Sequence, residues 1–89
     1  MARPWEADPS ALLSRRLGKS AGELGVTDDD DGCPDIWELD NGDIAVVGRD
    51  LTDTYRSHLP TGMSISHDER LIVIPGRMLR AAKPDIADA

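Results

Sequence analysis

The chain has 89 residues, 39% of them hydrophobic, with a formal net charge of −7 and one cysteine. That length holds one small domain at most, and no run approaches the roughly 18 apolar residues of a membrane-spanning helix. The charge excludes a surface built to hold phosphate backbones, and one cysteine with two histidines excludes both an internal disulfide and a four-ligand zinc framework.

The charge is unevenly placed. From Asp28 to Asp53 there are ten acids and one base, a net of −9, whereas Thr54 to Lys83 carries a net of +3. Such a chain can attract a basic partner, its own other half or a second copy. The N-terminus lacks a basic-then-apolar signal segment, so a cytoplasmic location is expected, where the lone Cys33 stays reduced.

In chain order, residues 1–32 read as an N-terminal helix followed by an acidic linker. Asp8-Pro9 gives a cap and a first helical residue, Leu13 and Leu17 share a face with Leu12 beside them, and Gly18 supplies a stop. So short a helix must dock on something or fray. Leu17 to Thr27 resembles the first part of a helix-turn-helix, but four aspartates stand where a recognition helix would follow, and they would repel DNA. No direct contact with nucleic acid is expected.

Residues 33–83 read as a small α+β domain. Asp35 to Arg49 has the pattern of a β-hairpin around Asn41-Gly42, the strongest two-residue turn signal. A two-residue turn there sets Leu39 opposite Ile44, Trp37 opposite Val46 and Ile36 opposite Val47. The face carrying Trp37, Leu39, Ile44 and Val46 is then the expected core side, and the face with Ile36, Glu38, Ala45 and Val47 the mixed one. Leu51 to Leu59 predicts a short helix capped by Thr52 and ended by Pro60. The β-branched run Leu71 to Ile74 predicts a buried strand. Gly76 to Lys83 predicts a final helix with Met78, Leu79 and Ala82 inward, and residues 84–89 read as a loose tail.

The sum is β-β-α-β-α, a three-stranded antiparallel sheet with helices on one face. A core of about fifty residues is marginal alone, burying only about 60% of its unfolded surface. Without a disulfide or metal, self-association is the natural remedy. The strand Leu71 to Ile74 or the face around Trp37 could meet its copy.

Candidate chemistry is sparse. With Gly32 at position 6 of a calcium loop, Asp29, Asp31, Asp35 and Glu38 fall at positions 3, 5, 9 and 12. Thr27 at position 1 is a poor ligand, Pro34 at position 8 cannot donate the loop's hydrogen bond, and Glu38 lies inside a strand that cannot curl back. A linker is the expectation, and no cofactor or metal set is assigned. His58 and His67 each follow a serine, an adjacency that does not set a nucleophile against its base. Cys33 follows a run of anions, which disfavours a reactive thiolate, and Gly18, Gly22 and Gly25 do not follow a strand as a phosphate loop requires. No enzyme is expected. Tryptophan is enriched at interfaces, so Trp37 is a candidate hot spot as well as a core residue, and Trp5 is a candidate docking anchor.

From Cys33 the chain resembles the small acidic actinobacterial regulatory proteins related to the developmental regulator BldB. The resemblance rests on Cys33, Ile36 to Leu39, Gly42, Ile44-Ala45-Val46, Arg49-Asp50, Leu71 to Ile74 and Gly76 to Lys83. It implies a non-enzymatic, self-associating partner of a DNA-binding regulator.

The expected function is a protein-interaction module, a homodimer that modulates a basic partner such as a helix-turn-helix transcription regulator. Its partner-binding residues are Asp28, Asp29, Asp30, Asp31, Asp40 and Asp43, which steer encounter, with Trp37 and Trp5 as anchors. Two alternatives stand beside it: a divalent-metal- or small-ligand-responsive domain using Asp28 to Asp31, and an accessory subunit or antitoxin-like inhibitor of an enzyme.

Overall fold

The computed structural model describes residues 4–27 and 32–86. Its elements are β1 (Leu13–Arg16), β2 (Asp35–Leu39), β3 (Ile44–Val47), β4 (Arg49–Asp50), α1 (Thr52–Tyr55), β5 (Ile72–Val73) and α2 (Gly76–Ala82). Strands β1, β2 and β3 form a three-stranded antiparallel sheet in that order, and β4 and β5 form a second, two-stranded antiparallel sheet. The architecture is α+β with a three-stranded antiparallel sheet, as expected. The strands that build it differ from the expected set.

Leu13–Arg16, expected within a helix, is an edge strand of the main sheet. Asp8 does cap a turn, since its Oδ1 accepts from the N–H and hydroxyl of Ser10, but no helix follows. Pairing with β2 satisfies more backbone groups than one isolated helical turn could. The expected boundary at residue 32 therefore does not separate an appendage from a packed unit. Leu17 lies in the core with Ile36, Met78 and Ala82, and Leu24 and Val26 pack against that cluster. The helix-turn-helix-like stretch folds as a single turn. Ser20 and Glu23 bond reciprocally, and the Val26 N–H closes back onto the Ala21 carbonyl. Those bonds from the Ser20 backbone and hydroxyl hold the Glu23 carboxyl below its usual range.

The strand expected at Leu71 to Ile74 is real but short. As β5 it pairs with β4 rather than joining the main sheet. Thr52 is the first residue of α1 rather than its cap. Asp50 Oδ1 accepts from the Thr52 N–H and hydroxyl, and the buried Thr52 hydroxyl oxygen accepts from the Leu71 N–H at 2.7 Å, tying α1 to β5. In α2, Met78 and Ala82 are buried as expected, whereas Leu79 is exposed.

The segment after Pro84 is not loose over its described part. Lys83–Asp85 forms a 3-10 turn. Its last residue accepts from both the Gly18 N–H and the Arg15 guanidinium, each at 2.7 Å. Gly18 has φ +76, and a Cβ there would sit 2.8 Å from the Ala82 nitrogen, so only glycine lets β1 leave the sheet so close to α2. Residues 87–89 of the expected tail lie outside the described residues.

Candidate functional site

The hairpin shapes the most distinctive surface. Its loop holds three residues, Asp40, Asn41 and Gly42. The Gly42 N–H donates to the Leu39 carbonyl at 3.0 Å and the Leu39 N–H to the Asp43 carbonyl at 2.8 Å. Gly42 has φ +89, and among the described residues no non-glycine residue has a positive φ, so Asn41 does not take part in the expected two-residue turn. A tight turn followed by a left-handed glycine is the next most common hairpin connection. It moves β3 by one position, so that Asp35, Ile36, Trp37 and Glu38 stand opposite Val47, Val46, Ala45 and Ile44.

That shift and the docking of α2 overturn the expected core face. Ile36 is the buried strand residue, packed with Leu17, Met78 and Ala82. Trp37 is half-buried on the opposite face, beside Arg16 across the strand pair. The Arg16 guanidinium lies 5.0 Å from the Trp37 ring centroid, a stacking distance that favours cation and ring. The same guanidinium grips both Asp35 oxygens, at 2.8 and 3.0 Å. Burial pushes the Asp35 carboxyl up, but the bonds from Arg16 and Trp37 outweigh it, and the group stays below its usual range.

The acidic belt is partly spoken for within the chain. Asp35 pairs with Arg16, Glu38 with Arg15 at 3.1 Å, and Asp50 with Arg70 at 3.7 Å. The Thr52 bonds hold the Asp50 carboxyl below its usual range, and Arg70 adds to the effect. Glu38 is thus a strand residue whose carboxylate lies on Arg15. Among the described residues no cluster of three metal-ligating side chains occurs. Asp28, Asp29, Asp30 and Asp31, named above as partner-binding and as the seat of a metal response, lie outside the described residues.

The remaining named acids sit at the hairpin tip. Asp40 is exposed and its carboxylate accepts from the Leu12 N–H at 3.2 Å, while Asp43 is half-buried and its carboxylate accepts from the Asn41 amide. Neither has an ion pair among the described residues. Directly after them runs β3, whose sequence Ile-Ala-Val-Val has no charge and whose outer edge pairs with no strand among the described residues. Ile44, Val46 and Val47 are 52%, 42% and 50% exposed. The structure thus brings Asp40 and Asp43 beside an apolar strand edge, with Trp37 on the neighbouring strand. In the sequence pattern alone, Ile44 and Val46 fit the core face. The signal that they form an edge lies in the pairing of β1 with β2, which puts β2 in the centre.

Trp5 is far from this edge in the chain. It is 62% exposed and lines a surface cleft with Met63, Ile65 and Leu71. A second cleft lies between Val26, Pro34, Val73 and Ile74, with the exposed Cys33 on its lining. His58 and His67 are exposed, the first in a 3-10 turn after α1 and the second in a loop.

No family model, no curated protein and no solved structure matches this chain. Among the described residues no helix is long and apolar enough to cross a membrane.

Proposed function

We propose that this chain is a non-enzymatic, cytoplasmic protein-interaction module that self-associates as a homodimer. In that form it modulates a basic partner such as a helix-turn-helix transcription regulator, without touching DNA itself. The observation that carries this reading is the uncharged, exposed β3 edge set beside Asp40 and Asp43. Natural proteins blunt the edges they keep free, because an unpaired strand with an apolar face is a template for another chain. The resemblance of residues 33–83 to the BldB-related proteins, read from the sequence alone, is in keeping with it.

The acids act on encounter. Carboxylates at a rim raise association rates and fix orientation more than they add affinity, and salt screens them over about 10 Å at 0.1 M. Asp40 and Asp43 fit that role, with the Asp28 to Asp31 run adding to the same sign of charge.

The test is affinity capture with the tagged chain from its host's lysate at low and high salt, read by mass spectrometry. A basic DNA-binding protein held at low salt and lost at high salt supports the reading. Recovery of nothing but the chain's own copies contradicts the modulating role.

A further inference from the structure

The self-association in that reading can be given a surface and a register. In an antiparallel ladder, residues alternate between those bonded to the neighbouring strand and those whose N–H and C=O point away. The bond from the Leu39 N–H to the Asp43 carbonyl sets the phase of the hairpin. Asp43, Ala45 and Val47 therefore turn their backbone groups towards β2, and Ile44 and Val46 turn theirs to the open side. No strand pairs on that side among the described residues.

We propose that a second copy of this chain pairs with β3, antiparallel, about a two-fold axis through Val46. Two three-stranded sheets then join into one of six strands, and the inference rests on the self-association proposed above. A symmetric pairing must match outward residues with outward residues, which leaves few registers. An axis at Ala45 sets the Asp43 carboxylate opposite the partner's Val47. An axis at Ile44 sets it opposite the partner's Ala45. An axis at Val46 sets Val46 opposite the partner's Val46, Ala45 opposite the partner's Val47, and Asp43 opposite the partner's Arg49. That register alone gives each Asp43 an opposite charge, and the symmetry makes the pair twice. Opposite-charge pairs across strands stabilise a sheet and like charges directly opposite destabilise it. Arg49, the first residue of β4 and opposite Val73 of β5, is exposed and has no ion pair among the described residues, so its side chain is available for this contact.

Sedimentation equilibrium of the full chain tests this, with circular dichroism confirming that each variant is folded. The wild type is expected to be a dimer. Val46→Lys sets two ammonium groups against each other at the axis and should raise the dissociation constant by about tenfold or more. Asp43→Arg and Arg49→Asp should each weaken the dimer, and the double variant should recover it. A wild-type monomer would remove the self-association reading and this surface with it. A dimer untouched by Val46→Lys and by both single charge changes would keep self-association and place it on another surface. A double variant no tighter than its parents would overturn the register.

Discussion

The main sheet has two edges, and they are built differently. The β1 edge carries Ser14, Arg15 and Arg16, and its register slips between Leu13 and Arg15. Arg15 reaches to Glu38 and to the Asp85 carbonyl, and Arg16 reaches to Asp35 and over Trp37. A bulge and charged side chains are the devices by which a strand avoids pairing with a stranger. Leu12 and Leu13 are as exposed as the residues of β3, yet they lie on an edge whose ladder is broken. The β3 edge has neither bulge nor charge along Ile44 to Val47. One edge is closed by the chain's own chemistry, and the other is left ready. Apolar exposure alone does not leave an edge open to pairing; exposure on a continuous, uncharged ladder does.

Substitutions beneath and beside β1 should strike folding, whereas those on β3 should strike association. The largest effect is expected from Met78→Ala, which removes the side chain closing over Leu17 and Ile36. Such truncations cost about 2–5 kcal/mol, a large share of the stability of so small a core, and a urea titration would read the loss. Next, Gly18→Ala puts a methyl group against the α2 backbone at a positive φ. A cost of about 1–3 kcal/mol is expected in the same titration.

Third, Arg16→Gln removes the two-pronged bond to Asp35 and the stacking on Trp37, and the Arg16 and Asp35 side chains are 35% and 18% exposed. A loss of about 1–2 kcal/mol at neutral pH is expected. The pH dependence gives a second readout. The Asp35 carboxyl is lowered in the folded state, so the unfolded chain binds the proton more tightly. The stability it contributes is present above the ordinary unfolded carboxyl value and is lost as pH falls through the lower folded value. Arg16→Gln should flatten that acid limb in melting curves between neutral pH and the acid range. The smallest effect on folding is expected from Leu13→Lys and Val46→Lys, each within about 0.5 kcal/mol for the monomer. The first should leave the mass in solution unchanged, and the second should halve it. Equal behaviour of the two would erase the distinction between the edges.

Much of the fold is legible in the sequence, and the parts that are not have definite causes. The hairpin, α2 and the apolar strand near Leu71 follow from turn signals and periodicity. The first strand does not, because Asp8, Pro9 and Gly18 stand where helix signals stand and Leu13 and Leu17 fit helical spacing. Only the presence of β2 as a partner decides otherwise. Asn41-Gly42 marks the turn but not its length, and one extra loop residue moved every pair on β3. Burial of Ile36 instead of Trp37 then depends on where α2 docks, a contact between residues more than forty apart in the chain. The candidate site was half visible. The acid-rich stretch marks Asp40 and Asp43 and the interface preference of tryptophan marks Trp37, but Ile44 and Val46 fit a core face and Val47 a mixed one, and only the strand order puts β3 at the edge. The pairing of Glu38 with Arg15 is likewise a product of β1 lying beside β2, and no local pattern announces it.

The most direct measurement is amide hydrogen exchange at single-residue resolution as a function of protein concentration. The account predicts that the outward amides of Ile44 and Val46 exchange quickly in dilute solution and become protected as concentration rises. The Leu13 amide on the other edge should exchange at one rate throughout. Fast exchange at Ile44 and Val46 at every concentration, or protection that grows at Leu13 instead, would contradict it.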